Sequence, residues 1–478
     1  MEGCIRVNSS GRLRVGVHRF QTYEGHPGRD GANLAYDETL KLLMQCPEIA
    51  LELHDIVTLF GDYDAARCVL RRCDVVVAAV GPHAYIYFYL RERLGLSFRI
   101  IRDVRTALWN GYLLQEVLIG PYLRSYDSVI YSSAYSRDLF RKIFPNVSHN
   151  SQHVCYPLLN WFPQQAVAAR RRIHNDMFTI GYVGRLTPDK NFFQVLDLLV
   201  ALHRRLPGYF RVRAVGEGRP PLGYPDAARR LGPAIDYYEW YPPVSPRNIW
   251  REYATFDALF FPSTSTLETF GRVLTEALNA RLPVLASSHG ACSELLAPEA
   301  LLQTKYYTDR LFTAHFAAPL GAIKVEEAVD RLIGGAVIYD DRGLEKYRND
   351  GVRYISIVLY GNQSDDTPYR SGTIQQSDFV RRLNVYGLKR LSSIGEADEV
   401  IRRMRRWFLI LNRRSANYPL VLLELLTRSN HRRKTLEFIG RSVRLGEDFT
   451  NIGGIDLQLS HLIRFYPQFS ISPVNSHG

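Results

Sequence analysis

Two carboxylates and two cations have the types and the spacing to act on a phosphorylated ligand. Glu268 and Glu276 stand with seven residues between them in the stretch from Leu267 to Ala286, LETFGRVLTEALNARLPVLA. The first lies just before a predicted helix and the second inside it. Phe270 and Gly271 fall where that helix should begin, so its unpaired N–H groups lie beside Glu268, and such an end favours an anion, phosphate included. Leu274, Ala277 and Leu278 share one face that can bury against a sheet. Pro283 ends the turn, and Val284 to Ala286 read as a buried strand.

The cations belong to Gly184–Asn191, GRLTPDKN. A buried strand precedes them, Thr187 can cap the next helix and Pro188 suits its first turn. Arg185 is then placed in the loop and Lys190 in the first helical turn, both at the strand's carboxyl end. Arginine offers a rigid fork to phosphate oxygens and lysine a mobile point charge, so the pair can grip a diphosphate from two sides. Taken alone, each motif reads equally as a solvated turn or helix face.

The elements that must position these groups alternate along the chain. Arg14 to His18 is a short apolar strand that opens into a loop with Gly25, Gly28 and Gly31, followed by a helix from Ala32 to Met44. Asp74 to Val80, Phe98 to Arg102 and Asp127 to Ser132 are further strands. Helices follow from Tyr85 to Arg93 and, capped by Ser136, to Phe144. His149 to Gln164 reads as a connector. A second alternating run then holds strands at Phe178 to Val183, Phe210 to Val215 and Ala258 to Phe261, with a helix from Asn191 to Leu206. Apolar strands alternating with helices imply two consecutive doubly wound, Rossmann-like α/β domains, and ligands bind at the carboxyl ends of such strands. Helices near Glu326 to Leu332 and Gly343 to Leu359 close the second run. The expected boundaries are 1–165, 166–362 and a basic, mostly helical extension over 363–478.

The chain has 478 residues, 46% hydrophobic and 23% charged, which describes a multidomain globular protein. Its net charge of +12 suits anionic partners without choosing among phosphate groups, nucleic acid and an acidic membrane face. The six cysteines are scattered without zinc-ligand spacing, so reduced thiols in a cytoplasmic protein are expected. No apolar run is long enough for a transmembrane helix. The Asn-x-Ser sites at Asn8, Asn146 and Asn362 then read as chance matches.

The two motifs together, with SAYSRDLF at 133–140 and VCYPLLNWFP at 154–163, resemble glycosyltransferase family 4, the retaining glycosyltransferases of GT-B fold. The resemblance spans roughly residues 13 to 360. It implies a nucleotide-diphosphate sugar as donor and no cofactor or metal. Arg185 and Lys190 would contact the diphosphate, Glu276 the ribose hydroxyls, and Glu268 the transferred sugar close to the reacting carbon. Gly184, Thr269, Phe270, Gly271 and Leu274 would complete the donor contacts, with Gly216 of the Gly216–Gly218 turn beneath the base. Gly25 and Gly28 would face the diphosphate and acceptor from the first domain. Where family members often carry a histidine at the end of the strand that reads FRIIRD here, this chain has Arg102 and Asp103. His83 is the nearest substitute as a catalytic group, and Asp103 is an acceptor-side candidate.

Two further signals have simpler readings. Asp62-Tyr63-Asp64 imitates a metal-binding Asp-x-Asp but lies before a helix and reads as a cap. Ile401 to Arg414 gathers Ile401, Met404, Trp407, Phe408 and Leu411 on one helical side and arginines opposite. That side packs against the protein or, as a basic amphipathic helix can, seats peripherally on an anionic membrane. No specific nucleic-acid binding is expected. The alternatives to transfer are an epimerase or hydrolase of the same fold, and a non-catalytic protein that binds a nucleotide sugar or a membrane.

Overall fold

The computed structural model describes residues 11–18, 31–79, 84–105, 115–116, 118–143, 152–157, 177–245, 248–265, 268–307, 319–337, 339–340, 342, 344, 350–361 and 393–410. The first run forms β1 (Leu13–His18), α1 (Gly31–Gln45), β2 (Ile49–His54), α2 (Ile56–Gly61), α3 (Tyr63–Leu70), β3 (Val75–Ala78), α4 (Tyr85–Arg93), β4 (Arg99–Val104), β5 (Ser128–Tyr131), α5 (Ala134–Ile143) and β6 (Gln152–Val154). These strands make one sheet in the order β2-β1-β3-β4-β5-β6, with every pair parallel. Val15, Val17, Val75 and Val77 bury on one face, while Val76, Ala78 and Ile100 bury on the other. A sheet covered on both faces is what the near-continuous apolar runs require.

The second run forms β7 (Phe178–Val183), α6 (Phe192–Arg205), β8 (Phe210–Val215), α7 (Ala227–Leu231), β9 (Tyr238–Tyr241), α8 (Ile249–Tyr253), β10 (Ala258–Phe261), α9 (Arg272–Asn279), β11 (Val284–Ser287), α10 (Cys292–Leu295), β12 (Leu301–Leu302) and α11 (Val325–Ile333). Its sheet is also parallel, in the order β12-β11-β10-β7-β8-β9. In α6 the fully buried Val195, Leu198, Leu199 and Leu202 recur at helical spacing and cover one face of this sheet. The two doubly wound domains are thus both present.

Then α12 (Asp350–Tyr360) closes the second run in sequence but packs on the first sheet. Tyr354, Ile357 and Val358 join the cluster of Leu13, Val15 and Val17. The Arg99 guanidinium donates to the carbonyls of Ile357, at 2.9 Å, and Val358. Of the extension, α13 (Ile394–Ile410) is described. Its Ala397 and Ile401 bury in the first domain's core, and Arg405 donates to the carbonyls of Phe60 and Gly61 over the ring of Tyr63. Asp62 caps α3, accepting from the backbone N–H groups of Asp64 and Ala65.

The first domain is held from within by a buried ion pair. Arg91 of α4 and Asp127 are both fully buried and joined at 2.6 and 2.8 Å. Asp127 also accepts from the backbone N–H groups of Ile100 (2.8 Å) and Arg124 (2.9 Å). One carboxylate thereby fixes α4, β4 and the turn before β5.

Candidate active site

The order of strand addition in the second sheet reverses between β7 and β10, which pair in parallel: successive strands are added outward one way from β7 and the other way from β10. Loops part at such a switch point and leave a crevice at the strands' carboxyl ends. The two motifs are the loops after these two strands. Gly184 donates its N–H to Val215 O (3.0 Å), and Tyr182 donates its hydroxyl to Arg185 O (2.7 Å). Lys190 lies in a 3₁₀ turn, Pro188–Lys190, and not in the long helix, which starts at Phe192 behind Asn191. Thr187 makes no cap bond; its hydroxyl goes to Asp189 at 2.6 Å. Asp189 is fully buried and also receives Ser265 Oγ at 2.6 Å, so it staples the β7 loop to the β10 loop. Asn191 does the same, donating to Pro262 O, Thr264 Oγ1 and Gly321 O.

That staple brings the predicted cation and carboxylate together. Lys190 Nζ lies 2.5 Å from Glu268 Oε2, with side chains 15% and 12% exposed. Arg185 reaches Asp189 at 3.3 Å and stays 37% exposed, leaving part of its guanidinium at the mouth. Gly216 sits beneath this loop with φ +154°; a Cβ there would fall 1.8 Å from Gly184 O, so the two turns can pack only through a glycine.

The helix begins one residue later than expected. Gly271, at φ +80°, is the residue before α9, in the left-handed region that favours glycine. Thr269 presents its carbonyl to Ser133 Oγ (2.6 Å) across the domain boundary. Phe270 is buried against the ring of Tyr156. Glu276 is nearly buried, accepts the Tyr253 hydroxyl at 2.8 Å, and has its carboxyl raised by burial. The side chain of Leu274 is fully buried among Phe261, Ala277 and Leu295, so only its backbone is left to meet a donor. Asp103 is likewise no open acceptor-side group. It is 1% exposed, with its carboxylate engaged by Arg105 at 2.8 Å and by the Tyr354 hydroxyl at 2.9 Å. Arg102, its neighbour, is buried and paired with Glu116. In α5 the cap is Ser133, which accepts Ser136 N at 3.1 Å, and Ser136 lies inside the helix. His83, Gly25 and Gly28 lie outside the described residues.

Three residues that the motifs did not single out complete the surroundings. Arg272 opens α9. His289 is buried and, with its imidazole lowered to about 4 by burial, stays neutral at pH 7; its ring nitrogens meet Ser265 O and Tyr306 Oη. Glu294 reaches across the domain boundary to accept the N–H groups of Ala134 (2.9 Å) and Tyr135 (2.7 Å) and the Tyr156 hydroxyl (3.0 Å). His289 and Glu294 follow β11 at its carboxyl end, and that position is the signal that could have found them.

Burial pushes the Glu294 carboxyl up to about 7 against the pull of its three hydrogen bonds. A carboxyl raised on folding keeps a proton that the unfolded chain has released. Its contribution is therefore fully present below the unfolded value of 4.5 and lost as pH rises through about 7. The stability of the wild type relative to Glu294→Gln is expected to fall across that window, read as the difference in urea midpoints. A difference that stays flat or grows with pH would mean that the hydrogen bonds from α5 outweigh burial.

Among the described residues, no group of three or more His, Cys, Asp or Glu is placed to hold a metal ion, and no helix is long and apolar enough to cross a membrane. Two parallel six-stranded sheets with these loops at the switch point are the architecture of the GT-B fold. Residues 164–311 match the family model described as Glycosyl transferases group 1. Among solved structures, Anabaena HepE in complex with UDP and glucose is similar over 73% of this chain and 99% of its own, at 17% identity and a TM-score of 0.51. The sucrose-phosphate synthase of Thermosynechococcus elongatus matches over 73% and 95%, at 15% identity and a TM-score of 0.47. No curated protein matches the chain.

Proposed function

We propose that the protein transfers a sugar from a nucleotide-diphosphate sugar to an acceptor with retention at the anomeric carbon, and that it does so without a metal ion. The observation that carries this reading is the Lys190–Glu268 pair at the switch point, with Arg185 beside it. Two cations and the first N–H groups of α9 are positioned to stabilise negative charge growing on a departing diphosphate. Glu268 then stands near the anomeric carbon, where a carboxylate favours an oxocarbenium-like transition state. In front-face displacement the bond from that carbon to the diphosphate oxygen breaks while the acceptor oxygen bonds on the same side. The acceptor's proton passes to the departing phosphate, and no covalent enzyme intermediate forms. Glu276 is assigned to the ribose, which would meet a carboxylate already oriented by Tyr253.

The related fold crystallised with UDP and glucose makes UDP and UDP-glucose the first probes, followed by GDP and ADP. One of these diphosphates is expected to raise the Tm of the full chain, with the shift growing as the logarithm of ligand concentration above Kd. Arg185→Ala should weaken that nucleotide by about 10- to 100-fold, the loss of hydrogen bonds to a charged group. Absence of any shift with all three diphosphates would refute the reading.

A further inference from the structure

Arg272 joins two carboxylates that belong to different domains. It is the first residue of α9, and its side chain is 8% exposed. Its guanidinium meets Glu38 of α1 in a two-toothed pair, Nη1 to Oε2 at 3.0 Å and Nη2 to Oε1 at 3.2 Å. Glu38 is a first-domain residue, 2% exposed. On its other side, Arg272 Nε lies 3.8 Å from Glu276 Oε1, whose partner oxygen accepts the Tyr253 hydroxyl. The order Glu38–Arg272–Glu276–Tyr253 is a continuous buried chain from the first domain to the carboxylate assigned to the donor's ribose.

The physics of that chain is asymmetric. Burial raises both carboxyls, and Arg272 is the leading cation opposing it at each; Arg105 adds a smaller pull on Glu38 alone. Without Arg272, two buried carboxylates would face one another with no cation between them. Removing one partner of a buried pair leaves the other charge uncompensated, which costs more than the pair itself contributes.

We propose that Arg272 is a positioning residue that couples the packing of the first domain to the orientation of Glu276, so that donor affinity depends on Glu38, a residue of the opposite domain. This rests on the assignment of Glu276 to the donor made above. Glu38 touches no donor in that assignment, and its effect must travel through the arginine fork. Coupling between sites commonly runs to several-fold or more.

The test uses the full chain, titrated calorimetrically with UDP, GDP and ADP in turn, beside Tm measurements. Glu38→Gln is expected to weaken the bound nucleotide about tenfold, within the usual range of site-to-site coupling. Arg272→Lys, which keeps the charge but loses the fork, should weaken it to a similar degree. The exchange Glu38→Arg with Arg272→Glu restores attraction between the domains but sets a carboxylate beside Glu276. It is expected to recover Tm without recovering nucleotide affinity. Unchanged affinity in Glu38→Gln alongside a lowered Tm would reduce Arg272 to a structural tie and overturn the proposal. Recovery of affinity together with Tm in the exchange would overturn it as well. Failure of the wild type to bind any of the three diphosphates would instead remove the assignment of Glu276 beneath it.

Discussion

Glu268→Gln is expected to lower sugar transfer by about 10²- to 10³-fold, the range for removing one preorganised electrostatic group at a reacting centre. The amide keeps the size of the carboxylate and can still meet Ser263 Oγ and Lys190 Nζ, so the loops after β7 and β10 stay stapled through Asp189 and Asn191. What it removes is the negative charge beside the anomeric carbon. The nucleotide contacts assigned to Arg185 and Glu276 are untouched, and Lys190 keeps its charge while losing a competing carboxylate, so UDP affinity should hold or rise while kcat falls. Single-turnover transfer measured with bound donor separates the two quantities. Wild-type turnover in Glu268→Gln would remove this residue from the chemistry.

Arg91→Met is expected to be the costliest change outside the site, at about 3–5 kcal/mol for breaking a buried ion pair by removing one partner. Methionine fits the stem of the arginine, but Asp127 then stays fully buried with only the N–H groups of Ile100 and Arg124 to hold its charge. Adding Asp127→Leu is not expected to rescue the variant, because those two N–H groups would lose their acceptor. Chemical denaturation of the first domain checks both statements. A loss below about 1 kcal/mol, the scale of an exposed pair, would show that water reaches the pair.

The central strands of both sheets were legible because they are apolar on both faces: VVVA in β3, ALFF in β10 and VLAS in β11. Within the two parallel sheets the strands not anticipated are β2, β6, β9 and β12, and all four lie at sheet edges. An edge strand buries less and carries more polar residues, as YEWY does in β9. In the site, spacing placed Glu268, Arg185 and Lys190 after the carboxyl ends of two neighbouring strands, where Lys190 and Glu268 meet. Spacing could not show that Leu274 packs inward, that Asp103 is engaged by Arg105 and Tyr354, or that Arg272 finds Glu38. Glu38 and Arg272 are 234 residues apart, and only the packed domains bring them together.

The return of α12 to the first sheet also orders events during synthesis. The apolar surface of Leu13, Val15 and Val17 is complete only with Tyr354, Ile357 and Val358. The β1–β6 sheet can therefore pair its strands early, yet part of one face waits uncovered while the ribosome makes the whole second domain. Translation at about 5–20 residues per second makes that interval on the order of tens of seconds. That face of the nascent first domain is an unfinished surface for that time, and α12 is the piece that closes it.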